Sequence, residues 1–249
     1  MEKTIFWPNA HQIPLLREGQ VHVWAWNLDR PPVDFDWSVL SQEETLRARR
    51  FVHPHDCDRY VRAHAVTRTL LGSYTGVNPA TISFATNARG KPKIQNAENT
   101  ERVRFNLAHS AAIGMLAVSR NYDLGVDVEQ MRPIDATVAV HHFSPRELLT
   151  LDNLPAPLWL AGFYRCWTSK EALLKGEGVG LNFPLDDFHV EVDPLRPPAL
   201  IAVEPHSHIT PGWRLFELNP ADEFAGTLAI RDETASFDRT SLQCFAFSG

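Results

Sequence analysis

The spacing of apolar and polar positions changes period several times along the chain. Residues 21–26 (VHVWAW) alternate every second position and predict a strand. Helical spacing follows over 41–51, opened by a Ser-Gln-Glu-Glu capping pattern, and again over about 56–71. Short strands are expected at ISF (82–84), RVRFNL (102–107) and MLAVS (115–119), parted by turns at 87–90 and around Ser110. LGVDVE (124–129) keeps strict period two. Helices are expected near 145–151, where Ser144 precedes a proline at the first helical position, and over 157–175. DFHVEV, WRLFEL, GTLAI and LQCFAF complete the strands. Each half runs strand, helices, then strands, which predicts an α+β fold of two similar lobes, residues 1–123 and 124–249.

Composition narrows the classes. With 249 residues, 44% of them hydrophobic, the chain can bury a sizeable core. Its apolar runs fall short of the roughly 20 residues that span a bilayer. The first residues, interrupted by Pro8, Asn9, His11 and Pro14, lack the core of a signal peptide, so a cytoplasmic protein without a membrane segment is expected. Cys57, Cys166 and Cys244 are far apart and form no CxxC pair, so each is expected as a small buried residue rather than part of a disulfide or zinc site. The net charge of −6 argues against general nucleic-acid binding. Residues 1–123 carry 15 Lys and Arg against 12 Asp and Glu, and residues 124–249 carry 9 against 18. A mildly basic half beside an acidic half suits an anionic ligand and its counter-cation in one cleft. Ordinary drift of surface charge produces the same skew, so it gains weight only beside specific residues.

Those residues begin in LGVDVE. With Leu124, Val126 and Val128 on the core face, Asp127 and Glu129 share the other face, where two carboxylates repel unless a cation lies between them. Such hard oxygen ligands suit Mg²⁺, although acidic pairs are also ordinary on a solvated strand. In 163–175 (FYRCWTSKEALLK), Leu160, Phe163, Trp167 and Leu174 form an apolar stripe, and Tyr164, Thr168, Glu171 and Lys175 line the neighbouring one. Glu171 and Lys175 stand one turn apart, either as surface decoration or as a third carboxylate and a phosphate-binding amine. The run 176–180 (GEGVG) follows a helix rather than opening one and reads as a helix stop. Arg47, Arg49 and Arg50 on one helix, and Arg59, Arg62 and Arg68 on the next, can grip a phosphorylated nucleotide or simply be solvated. Arg89-Gly90-Lys91-Pro92 adds a basic turn in which Gly90 permits close backbone approach. His109 ends a strand, a place where structural histidines are common, and His141 and His142 have no metal-ligand spacing.

Taken in order, Arg47 to Arg50, Arg59, the 89–92 turn, FNLAHS (105–110), GVDVE (125–129) and WTSKEALLK (167–175) resemble the Sfp-type 4′-phosphopantetheinyl transferases over roughly residues 40–190. The resemblance implies a pseudo-dimer of two α+β lobes, monomeric as a chain, with coenzyme A in the cleft between them. It implies transfer of 4′-phosphopantetheine to a serine of an apo acyl or peptidyl carrier protein, with release of adenosine 3′,5′-bisphosphate. By position, Asp127, Glu129 and Glu171 would hold Mg²⁺ or Mn²⁺. Glu171 would be the base, and Lys175 would meet the pyrophosphate. Arg47, Arg59 and His109 would hold the adenosine phosphates, and Gly90, Lys91 and Pro92 would line the adenine and phosphate pocket. Ala108 stands where the family usually has serine, and Glu44 where some members have lysine. Two other readings use the same residues: a Mg²⁺-dependent nucleotide or coenzyme A pyrophosphatase, and a catalytically silent module that binds carrier proteins.

Overall fold

The computed structural model describes residues 5–10, 12–87, 90–95, 102–179 and 183–248. Its strands are β1 (Val21–Asn27), β2 (Phe84–Thr86), β3 (Pro92–Ile94), β4 (Arg104–Ser110), β5 (Ile113–Ser119), β6 (Asp123–Gln130), β7 (Phe188–Val190), β8 (Leu200–Val203), β9 (Trp213–Leu218), β10 (Phe224–Arg231) and β11 (Leu242–Ala246). The α-helices are α1 (Asp34–Ser38), α2 (Gln42–Ala48), α3 (Pro54–Thr75), α4 (Thr137–His142), α5 (Pro145–Asp152) and α6 (Ala156–Glu177).

The fold is α+β, with one long helix for each main sheet. The order β11-β1-β5-β4 makes one sheet and β6-β10-β9 the other. The apolar face of α3 packs on the first sheet through Val66, Leu70 and Leu71 against Trp24, Trp26, Leu116 and Val118. The second sheet carries α6, with Ala172, Leu173 and Leu174 in one cluster with Leu215 and Ala229. Between the sheets, Val21, Val23, Met115 and Ala117 meet Leu124, Val126, Val128 and Leu228. Helix, sheet, sheet and helix therefore stack around a central apolar layer, with α3 and α6 each 22 residues long. The last strand, β11, returns to the first sheet and pairs in parallel with β1, Val21 facing Leu242.

The helix signals act as expected. Ser41 Oγ accepts the Glu44 amide at 3.2 Å while Glu44 Oε2 accepts the Ser41 amide at 2.8 Å. Ser144 and Glu147 repeat the box at α5. Gly178 ends α6 in the left-handed region, φ 70, and the Val179 amide donates to Leu174 O at 3.0 Å, so the 176–180 run is a helix stop over its described part. Other boundaries move. α2 ends at Ala48, short of 51, whereas α3 continues to Thr75 before Gly76 caps it at φ 71. The strand expected at 82–84 starts at Phe84, because Pro79–Thr81 forms a 3₁₀ turn first. The short α1 and α4 lie in stretches that carry no helical stripe. Cys166 is buried as expected, but Cys57 and Cys244 are only half-buried, and all three are free thiols. Among the described residues, no helix is long and apolar enough to cross a membrane.

Candidate active site

The alternation of β6 is realised, with a covering that the sequence does not announce. Leu124, Val126 and Val128 enter the inter-sheet core, and the opposite face lies under α6 rather than in solvent. Gly125 makes this possible. A Cβ there would stand 2.1 Å from Ala172 O and 2.3 Å from Gly176 N, so only glycine lets the helix backbone lie on the strand. Gly176 in turn faces the Trp213 ring, which a Cβ would meet at 2.5 Å. This close approach sets the α6 side chains against Asp127.

Asp127 is 3% exposed and Glu171 7% exposed. Lys175 Nζ donates to Asp127 Oδ1 at 2.6 Å, so the lysine reaches across to the strand rather than pairing along its helix. Burial raises the Asp127 carboxyl, against the pull of Lys175. Burial raises Glu129 as well; the hydrogen bond from Ser110 opposes this and Asp127 adds to it. Glu171 is pushed up to about 7, first by burial and then by repulsion from Asp127, with Lys175 opposing and Glu129 adding. Burial alone would lower the Lys175 ammonium, but Asp127, Glu171 and Glu129 together raise it.

The three carboxylates lie within each other's field without closing on a single point. Among the described residues, no group of three His, Cys, Asp or Glu side chains is placed to hold a metal ion. Glu129 Oε2 accepts from Ser110 Oγ at 2.6 Å, and Lys175 occupies one oxygen of Asp127. Two buried oxygens, Asp127 Oδ2 and Glu171 Oε1, have no hydrogen-bond partner among the described residues. Buried carboxylate oxygens are normally satisfied, so two unpartnered ones within an acidic group that holds one ammonium fit a hard cation.

The basic elements divide. Arg59 lies at the edge of this region, bound to Asp29 through Nε at 2.8 Å, and its charge reaches His109. Burial, then His64, Lys175 and Arg59, hold the His109 imidazole below its ordinary value. Arg47 is exposed, its guanidinium 5.6 Å from the Tyr60 ring. Arg62 and Arg68 serve the fold instead: Arg62 pairs with buried Asp36 at 3.1 Å, and Arg68 binds Glu44 and the carbonyls of Pro79 and Ile82. Glu44 is thus a helix cap and the anchor of Arg68. Ala108 is buried in the inter-sheet core.

In the β2–β3 turn, Gly90 adopts φ 93, and its amide donates to Asn87 O at 3.0 Å. Pro92 starts β3. Lys91 Nζ donates to Leu124 O at 2.9 Å and Gly176 O at 2.6 Å, which ties the turn to β6 and α6. Arg89 lies outside the described residues. Sequence reasoning assigned no role to Ser110, which holds Glu129, or to Asn106, whose Oδ1 accepts the Val126 amide at 2.8 Å and joins β4 to β6. Neither has a spacing signal. Gly125 does have one, since a glycine inside a strand marks close approach.

Residues 123–229 match the family model of the 4′-phosphopantetheinyl transferase superfamily, and residues 24–121 match that of the 4′-phosphopantetheinyl transferase, N-terminal. The 4′-phosphopantetheinyl transferase HetI of Nostoc sp. is 32% identical over 227 residues, covering 90% of this chain and 92% of the relative. The 4′-phosphopantetheinyl transferase ffp of Bacillus subtilis is 31% identical, covering 82% of this chain and 91% of the relative. The 4′-phosphopantetheinyl transferase Sfp of Bacillus subtilis is 29% identical, covering 78% and 84%.

Proposed function

This chain belongs to the 4′-phosphopantetheinyl transferase superfamily and moves phosphopantetheine from coenzyme A to carrier proteins, and from that premise we propose that the acidic group under α6 is its catalytic centre. The acceptor is a serine of an apo acyl or peptidyl carrier protein, and adenosine 3′,5′-bisphosphate leaves. The observation that carries the residue assignment is Glu171: a buried carboxyl raised to about 7, one oxygen unpartnered, one turn from Lys175.

In the reaction the serine oxygen bonds to the phosphorus that bears pantetheine. The bond from that phosphorus to the bridging oxygen breaks, and its electron pair leaves on the adenosine bisphosphate. Serine is a weak nucleophile at neutral pH, and Glu171 takes its proton, directly or through one water. A carboxylate with its pKa near the working pH is a matched base. Lys175, kept charged by Asp127, supplies positive charge for the leaving phosphate. Asp127, Glu129 and Glu171 would hold Mg²⁺ or Mn²⁺, which when bound neutralises charge on the pyrophosphate. Arg47, Arg59 and His109 receive the adenosine phosphates, and Gly90, Lys91 and Pro92 line the adenine and phosphate pocket, with the Lys91 ammonium held by two carbonyls. The two lobes of one chain carry every group in this scheme, which supports a monomer.

Intact-mass measurement of apo carrier proteins with this chain, coenzyme A and Mg²⁺ tests the reading. A gain of one phosphopantetheine is expected, lost with EDTA and with Glu171→Ala. No gain on any acyl or peptidyl carrier, with adenosine bisphosphate released regardless, would move the assignment to a pyrophosphatase. The carriers that are loaded identify the pathway as fatty-acid, polyketide or peptide synthesis.

A further inference from the structure

At the opposite end of β6 from Glu129, where Asp123 and Leu124 start the strand, the two lobes enclose a cavity of about 520 Å³. Lys91 and Pro92 form part of its wall, and none of Asp127, Glu129, Glu171, Lys175, His109 or Arg59 lines it. Its floor is apolar: Ile94, Phe105, Leu124 and Trp213 are all buried side chains that face this space. Its rim is cationic, with Lys93, Arg102, Arg104 and Arg231 against the carboxylates Asp123 and Glu177.

Both carboxylates are already engaged. Asp123 accepts from Arg104 at 3.0 Å. Glu177 Oε1 accepts from the Thr210 amide and hydroxyl and from Trp213 Nε1 at 2.7 Å. Lys93 and Arg102 have no ion pair among the described residues. Arg231 reaches Glu233 through one terminal nitrogen, and its Nε is buried without a partner. Among the described residues, the rim of this apolar cavity thus carries more cationic than acidic side chains, and Lys93 and Arg102 are its unpaired cations.

We infer that this cavity binds an organic anion with an apolar body, a carboxylate or a phosphate monoester on an aromatic or short aliphatic frame. The two parts of such a ligand answer the two parts of the site. An inorganic anion would leave the floor uncovered, and a neutral apolar molecule would leave the charges of Lys93 and Arg102 unanswered. Gly176 and Glu177 line the cavity and directly follow Lys175, so the ligand sits against the last turn of the helix that carries Glu171. The inference stands whether or not the transferase reading does.

Isothermal titration calorimetry with 2-naphthoate, 2-naphthyl phosphate and the neutral 2-naphthalenemethanol tests it, each with and without saturating coenzyme A. At least one anion is expected to bind one to one, about tenfold or more tighter than the alcohol, as one charge-assisted contact requires. Whichever anion is tighter names the head group. Lys93→Glu, on an exposed strand position, and Arg231→Gln should each weaken the anion about fivefold or more and leave the alcohol and coenzyme A unaffected. Equal affinity for anion and alcohol, no binding of any of the three, or indifference to both substitutions would overturn the inference. Displacement by coenzyme A would assign the cavity to the donor site instead. Coenzyme A affinity, read in the same titrations, reports separately on the transferase.

Discussion

Helix α6 carries two lysine–carboxylate pairs little more than one turn apart, and they are built to opposite standards. Lys170 is 0% exposed, and its Nζ meets Glu147 Oε2 at 2.9 Å, Phe188 O at 2.7 Å and Leu185 O. Glu147 also accepts the Ser144 amide at 2.9 Å and the Val190 amide at 2.8 Å. Every group in that network has a partner. Lys175 keeps 30% of its side chain exposed, and around it Asp127 and Glu171 each hold a buried oxygen with none. The first arrangement finishes a fold, tying α5 and β7 to the helix. The second leaves the fold unfinished in a place a ligand can reach, and Glu171 bears the electrostatic cost in its raised pKa. Saturation distinguishes them, since residue type and helix are shared.

The largest expected effect strikes the saturated pair. Lys170→Met leaves Glu147 buried without its cation and should cost about 3–5 kcal/mol, whereas Lys170→Met with Glu147→Leu should recover most of that loss. Urea unfolding of both variants checks it, and equal losses would mean that packing rather than charge holds the site. Glu171→Gln is the counterpart. Holo-carrier formation should fall about 10²–10⁴-fold, with stability unchanged or higher because one of three crowded carboxylates is gone. A variant that lost activity and stability together would place Glu171 with Lys170 as a structural residue.

What separates these pairs was only partly legible in the sequence. Period two in 124–129, the capping box at Ser41, the Ser144-Pro145 helix start and the glycine stop of α6 follow local rules, and the structure obeys them. The order of the motifs pointed to the acidic group as a whole. The Lys170–Glu147 pair was invisible, because its members belong to different helices and neither spacing nor composition marks a buried ion pair. The same holds for Lys91, whose place in a basic turn points to a phosphate while its ammonium is bound by two carbonyls. The return of β11 to the first sheet is also a long-range pairing that no local period encodes.

A smaller effect should follow from spreading the open site. Gly125→Ala places a methyl 2.1 Å from Ala172 O, and backbone on both sides must move. Overpacking of this kind costs about 1–3 kcal/mol. Because the shift parts β6 from α6, turnover should fall as well, unlike in Lys170→Met with Glu147→Leu, where the active group keeps its geometry. Unfolding midpoints and carrier loading on the two variants would show this split; normal loading by Gly125→Ala would mean that the Asp127–Lys175 contact is not needed.

The smallest effect tests whether an orphaned atom by itself signals function. His22 is fully buried, its Nε2 without a partner, and Tyr74 Oη lies 2.8 Å from both His22 Nδ1 and Trp24 Nε1. Since the indole can only donate, the phenol accepts from Trp24 and is free to donate to a neutral His22. Burial lowers the imidazole to about 4. Between pH 6.5 and 4 the unfolded chain therefore binds a proton that the folded chain refuses, and stability falls as pH falls through that window, by about 1 kcal/mol from pH 6.5 to 5.5. Glu171 acts in the opposite sense. Its folded pKa of about 7 exceeds the ordinary glutamate value of 4.5, so the folded state binds the extra proton and gains stability as pH falls from 7 towards 4.5. The wild-type slope mixes the two, and single variants separate them: acidification should weaken His22→Gln less than wild type and Glu171→Gln more. His22 lies buried between Tyr74 of α3 and Phe245 of β11, and it is none of the residues assigned to the reaction, so its substitution should leave carrier loading near wild type at neutral pH. If loading falls there too, exposure to a ligand is not what distinguishes the orphans beneath α6.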